Sequence, residues 1–109
     1  MSDVHDRLPI VLPLSEIAAF CQRWNITQLA LFGSVLRDDF GPDSDIDVLV
    51  TFAPGSVRTL AAVSQMQQEI EALFGRRVDL VDRQSIERSP NYLRRRAILS
   101  SARTVYSAA

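Results

Sequence analysis

The sequence of 109 residues contains no lysine, so all twelve of its basic side chains are arginines. A phosphate-binding lysine of the Walker type and a lysine Schiff base are therefore excluded, and any side-chain cation that holds a phosphate must be an arginine. Histidine and cysteine occur once each, as His5 and Cys21. A single cysteine forms no internal disulfide and argues against a zinc cluster, so we interpret Cys21 as a small buried hydrophobic residue.

An excess of charge and long hydrophobic runs are also absent. Thirteen acidic and twelve basic residues leave a net charge of −1, and 47% of the residues are hydrophobic. This composition is typical of an ordinary globular domain and gives no indication of a nucleic-acid or membrane partner. The apolar runs are too short to span a bilayer, and the first residues lack the pattern of a signal peptide. We expect a cytoplasmic protein with an N-terminal extension over residues 1–13 and a single domain over 14–109.

The most informative stretch is residues 31–50, where Gly33-Ser34 is followed after ten residues by Asp45 and Asp47. Alternate residues of a strand face the same way, so these two carboxylates lie together. Two neighbouring carboxylates repel each other, and a bound cation offsets this repulsion. Mg²⁺ is suited to the role, because it takes one or two carboxylates together with substrate phosphates. Gly33 lets the backbone approach a ligand, and Ser34 opens a helical turn whose free N–H groups form a phosphate cradle.

These residues and their spacing resemble the signature of the DNA polymerase beta-like nucleotidyltransferase superfamily. The segment Ser-Asp-Ile-Asp-Val-Leu-Val at 44–50 is most similar to the minimal nucleotidyltransferase (MNT) family. The resemblance extends over roughly residues 14–106. It implies an α/β (α+β) nucleotidyltransferase fold, which is a small mixed β-sheet with helices packed against it. It also implies transfer of a nucleotide from ATP with one or two Mg²⁺ ions.

The resemblance also implies a third metal ligand on the strand beside the Asp-x-Asp strand. The segment Arg-Val-Asp-Leu-Val at 77–81 matches that position, so Asp79 joins Asp45 and Asp47 as a metal-binding and catalytic residue. Asp79 would ligate the second ion or accept the proton of an attacking hydroxyl. Considered by itself, Asp79 is better explained as a half-exposed strand residue in an ion pair with Arg76 or Arg77.

Arg37 follows the Gly-Ser turn and is a third candidate for nucleotide binding, beside Gly33 and Ser34. A phosphate contact and a surface ion pair with Asp38 or its neighbour explain Arg37 equally well. Related sequences often have glycine where this chain has Asp38, which makes activity a less direct implication than the fold.

A calcium site is the competing metal hypothesis, because Asp43-x-Asp45-x-Asp47 resembles the start of an EF-hand loop. That loop requires glycine directly after its third acidic position and glutamate at its end, where this sequence has Val48 and Pro54. The EF-hand therefore fails at both positions.

Hydrophobic periodicity and helix-stop residues predict the remaining elements. We expect Asn25 and Gly75 to end helices, and Arg94–Arg96 to be a solvated helix face, which we favour over a partner site. The residues expected to face the core are Leu60, Val63, Ile70, Leu73 and Phe74 in the second helix and Leu93, Ala97 and Ile98 in the last. The predicted elements are helices over 14–24, 57–74 and 91–101, strands over 26–32, 46–52 and 78–81, a helical turn over 35–38, and an edge strand at 105–106.

Resemblance to the MNT family implies a partner as well. MNT proteins act as antitoxins of HEPN-domain RNase toxins, and some add AMP to a tyrosine of the toxin. A HEPN-domain protein or a second copy of the chain, as a homo-oligomer, would then complete the site. The alternatives are a non-catalytic antitoxin on the same fold and a transferase that modifies a small molecule, as aminoglycoside nucleotidyltransferases do.

Overall fold

A computed structural model of the chain describes residues 12–36, 40–56 and 58–108. No helix in these described ranges is both long and apolar enough to cross a membrane. The elements, in chain order, are α1 (Leu14–Arg23), β1 (Ile26–Phe32), a 3₁₀ turn (Gly33–Leu36), β2 (Ile46–Phe52), α2 (Leu60–Phe74), β3 (Val78–Asp82), α3 (Arg83–Glu87), α4 (Tyr92–Ser101) and β4 (Arg103–Ser107).

The four strands form one mixed sheet in the order β3-β2-β1-β4. Strand β1 pairs antiparallel with β2 and with β4, while β2 and β3 run parallel and are connected through α2. The predicted fold class, a small mixed sheet with helices packed against it, is confirmed. The edge strand predicted at residues 105–106 is confirmed too, as β4.

Helices cover both faces of the sheet. On one face Leu29 and Leu31 of β1 belong to the same buried cluster as Ile17 of α1 and Ile70 of α2. On the other face, residues from β1 and β2 form a second buried cluster with α3 and α4, consisting of Ala30, Phe32, Leu49, Ile86 and Ile98. Because the two central strands are covered on both sides, their sequences are nearly continuous apolar runs.

The ends of the helices have local causes. Asn25 (φ 58°) and Gly75 (φ 71°) adopt the left-handed conformation after α1 and α2, as predicted. The Thr59 hydroxyl accepts a hydrogen bond from the backbone of Ala62, so α2 begins at Leu60 and not at residue 57 as expected.

Four residues predicted to face the core are exposed instead. Leu60 and Leu93 are 88% and 76% exposed, Val63 is 40% exposed, and Ala97 of α4 is exposed as well. The buried residues are Met66 and Ile70 in α2 and Ile98 in α4. Each helix therefore contacts the sheet beyond its first turn, and the first turn projects into solvent.

Cys21 lies in the core between α1 and the sheet, as predicted. Burial raises the pKa of its thiol to about 12, because the thiolate would lose its hydration. The thiol is therefore protonated at neutral pH and is unsuited to act as a nucleophile.

Candidate functional site

Two of the predicted carboxylates lie side by side on adjacent strands. Asp47 of β2 is in register with Asp79 of β3, and the two strands are parallel, so both side chains leave the same face of the sheet. This is the face covered by α3 and α4, since Leu49 on the same side of β2 belongs to their cluster. Asp47 is partly buried and Asp79 is exposed.

Asp45 is placed differently. It precedes the first residue of β2 and is exposed, and its Oδ1 lies 3.2 Å from Nε of Arg77. Within the described ranges, no three or more Asp, Glu, His or Cys side chains are grouped so as to hold a metal ion. The structure therefore brings together Asp47 and Asp79, while Asp45 is held by a guanidinium.

A magnesium ion nevertheless fits this donor set. Mg²⁺ in nucleotide sites takes one or two protein carboxylates and completes its shell with water and phosphate oxygens, so Asp47 and Asp79 suffice. The ion pair between Asp45 and Arg77 joins two solvent-exposed side chains. Such pairs contribute little free energy, so Asp45 can exchange its partner for a metal at small cost.

Gly33 brings the turn after β1 against Asp47. Its φ of 75° lies in the left-handed region, and a Cβ built there would be 2.0 Å from Oδ2 of Asp47. Any side chain at this position would displace the Asp47 carboxylate and would strain the left-handed backbone. A ligand held by the turn would therefore lie next to Asp47.

Ser34 connects the turn to the acidic segment. Its hydroxyl donates a hydrogen bond of 3.4 Å to the backbone carbonyl of Asp45. The turn is a short 3₁₀ helix, so its first N–H groups have no hydrogen-bond partner within the turn. The predicted phosphate contact of Arg37 falls on residues 37–39, which lie outside the described ranges.

The loop before β2 is held by Arg76, for which the sequence indicated only an ion pair with Asp79. Its Nη1 donates to the carbonyls of Gly41 (3.2 Å) and Ser44 (3.0 Å), and its guanidinium carbon lies 4.6 Å from the centroid of the Phe40 ring. Among the described residues, the Asp79 side chain has no hydrogen-bond or ion-pair partner. Arg76 thus binds the loop, and Arg77 forms an ion pair with Asp45. The explanation that Asp79 is paired with one of these arginines is wrong.

We predict that Arg76→Leu loosens this loop. Two hydrogen bonds from a charged group would be lost, so the Ser44 amide, which donates to the Gly41 carbonyl, should exchange with solvent about tenfold faster or more. Hydrogen exchange followed by NMR measures this. Arg77→Leu is the matched control, because it removes only an exposed ion pair and should change the Ser44 rate by less than about threefold. Equal effects of the two variants would contradict the assignment.

A cavity of about 470 Å³ lies at the opposite end of β2, beside Thr51 and Phe52. Its two arginines are already paired, Arg58 with Asp82 at 3.1 Å and Arg83 with Glu87 at 3.3 Å. These cations are neutralised by the chain's own carboxylates, which disfavours the cavity as a triphosphate site.

Comparison with known proteins gives a family and a set of relatives. The family described as "Nucleotidyltransferase domain" matches residues 15–105. The chain is similar to protein adenylyltransferase MntA of Thermococcus cleftensis, with 35% identity over 66 residues that cover 61% of this chain and 65% of that protein. The match thus spans slightly less than two thirds of the relative's length.

Two solved structures share the fold. One, described as a minimal nucleotidyltransferase, has a TM-score of 0.62 and 32% identity, covering 82% of this chain and 85% of that one. The other is a tri-AMPylated HEPN toxin of Shewanella oneidensis in complex with an MNT antitoxin. It has a TM-score of 0.58 and 18% identity, with 87% of this chain and 70% of that chain covered. At that identity the second structure shows the shared fold alone.

Proposed function

Because the chain belongs to the nucleotidyltransferase domain family and to its minimal nucleotidyltransferase branch, we propose that it transfers AMP from ATP to a hydroxyl group of a partner protein. The observation that carries the proposal is the register of Asp47 with Asp79, directly beside the Gly33 turn. Carboxylates on two strands next to free backbone N–H groups suit a triphosphate accompanied by a divalent cation.

Different residues of the site would bind the metal ion and the phosphates. Asp47 and Asp79, with Asp45 once it leaves Arg77, would hold Mg²⁺, which supplies neutralisation of the triphosphate charge. The N–H groups of the turn and the Ser34 hydroxyl would hold the phosphates, and the small size of Gly33 keeps them near Asp47.

The transfer step needs a base and a leaving group. The acceptor oxygen bonds to the α-phosphorus, the bond from that phosphorus to the oxygen bridging to the β-phosphate breaks, and pyrophosphate leaves. The hydroxyl proton passes to the carboxylate of Asp79, or to solvent water where Asp79 ligates the metal instead; this carboxylate has no partner among the described residues. Asp79 therefore acts as a base or as a metal ligand, and each role uses its position opposite Asp47.

The proposed acceptor is a HEPN-domain toxin, and the chain would be its antitoxin. Two relatives support this: one is named a protein adenylyltransferase, and the other is an MNT antitoxin bound to an AMPylated HEPN toxin. In this proposal the modification neutralises the toxin.

Labelled ATP tests the function. The purified chain is incubated with Mg²⁺, a HEPN-domain protein from the same genome, and ATP carrying the label in either the α- or the γ-phosphate. We expect the partner to acquire the α-label and not the γ-label. A stable complex without label would favour the non-catalytic antitoxin, and label on an added aminoglycoside would favour the small-molecule transferase; each result would overturn the proposal.

A further inference from the structure

Charge is segregated along the chain. Residues 88–109 contain five arginines and no aspartate or glutamate, whereas residues 1–87 contain seven arginines and all thirteen acidic residues. The overall net charge of −1 hides this separation. A strongly basic segment on a mildly acidic domain is the charge pattern of a surface that binds an acidic partner.

None of these five arginines has a carboxylate partner among the described residues. Arg95 donates to the Ser89 carbonyl (3.0 Å), Arg96 donates to the Tyr92 hydroxyl (3.3 Å), and Arg103 donates to a neighbouring carbonyl. These acceptors are uncharged, so the positive charge of the segment is not neutralised. The arginines in the rest of the described chain differ, since several of them form ion pairs with the chain's own acidic residues.

Two large side chains in the first turn of α4 stand exposed among these arginines. Tyr92 is 55% and Leu93 is 76% exposed. Tyrosine and arginine are enriched at protein interfaces. A nucleic acid would also attract the arginines, but its phosphates offer nothing to an exposed leucine. The combination favours a protein partner.

This surface belongs to the same side of the sheet as the candidate site. Ile98 of α4 shares a buried cluster with Phe32, and Phe32 is in register with Asp47. A protein held against α4 would therefore lie on the side of the sheet from which Asp47 and Asp79 project.

We propose that the arginine surface, defined as the exposed side chains of Arg88, Tyr92, Leu93, Arg94 and Arg96 around the start of α4, docks a protein whose surface is acidic around an apolar pocket for Leu93. The identity of this protein as the acceptor of AMP rests on the proposed function. The docking itself depends only on the charge and the exposure of this surface.

Binding of the HEPN-domain protein tests the proposal, measured by calorimetry without ATP so that catalysis plays no part. Arg94→Gln/Arg96→Gln and, separately, Leu93→Ser should each weaken binding about tenfold. The matched control is Ser64→Glu/Gln68→Glu on the exposed side of α2, which changes the net charge by the same amount and should stay within about twofold of the parent. Raising salt from about 50 to about 300 mM should weaken the parent more than the arginine variant.

The outcomes separate docking from catalysis. If the arginine variant binds as the parent does, or if the parent forms no complex, the docking proposal is overturned whether or not AMP is transferred. If binding depends on the arginines but no AMP appears on the partner, docking stands and the proposed function fails. Binding of a short single-stranded RNA that is lost in the arginine variant, with unchanged binding of the protein, would overturn the proposal in favour of a nucleic-acid surface.

Discussion

Asp45→Asn/Asp47→Asn is expected to lower AMP transfer by at least about 10³-fold, equivalent to about 4 kcal/mol of transition-state stabilisation. The amide keeps the shape of each side chain but removes the negative charge that a divalent cation requires. Asp47 lies opposite Asp79 and against the Gly33 turn. Replacing Asp47 therefore removes the proposed metal ligand that lies nearest to the phosphate-binding turn. The measurement is kcat/KM with labelled ATP and the HEPN-domain partner.

The single variants should rank in a definite order. Asp47→Asn alone should account for most of the loss, whereas Asp45→Asn should cost less, because Asp45 is exposed and must first leave Arg77. Binding of Mn²⁺ followed by electron paramagnetic resonance gives a second readout that needs no turnover. The affinity for Mn²⁺ should fall more in Asp47→Asn than in Asp45→Asn.

Asp43→Asn is the matched control, since Asp43 is an exposed acidic residue of the same loop. It should leave transfer and metal affinity unchanged within about twofold, and none of these variants should shift the free energy of unfolding by more than about 1 kcal/mol. Undiminished transfer by the double variant would end the proposed mechanism.

The strands were predictable from sequence because their residue types determine them locally. Segments 26–32 and 46–52 are runs of apolar and β-branched residues next to turn residues, and both became strands with the predicted bounds. Pairing between strands was not predictable in this way. The register of Asp47 with Asp79 depends on α2 returning the chain to a parallel strand, and only resemblance to a family indicated it.

The errors in the predicted core and in the role of Arg76 have separate physical origins. Periodicity identifies which stripe of a helix is apolar, but it does not say how many turns of that helix reach the sheet. Leu60 and Leu93 lie on apolar stripes yet belong to first turns that project beyond the contact. The hydrogen bonds from Arg76 to the loop could not be predicted, because their acceptors are backbone carbonyls, which every residue has and no sequence pattern marks.

Gly33→Ala should abolish most of the transfer activity through a single methyl group. Its Cβ would lie 2.0 Å from Oδ2 of Asp47, so either the carboxylate or the turn must move by more than 1 Å. Displacement of a metal ligand by about that distance costs about 10²-fold in rate. The left-handed φ adds about 1–2 kcal/mol of destabilisation, because alanine strains there.

Gly55→Ala separates the two effects. Gly55 has a φ of 80°, close to that of Gly33, but no atom lies within 4 Å of a Cβ built on it. Thermal unfolding should show a similar conformational cost in both variants, with a further loss in Gly33→Ala from the clash. Activity should fall only in Gly33→Ala. If both variants transfer AMP equally well, the contact between the turn and Asp47 is not part of the catalytic arrangement, since the two substitutions differ in little else.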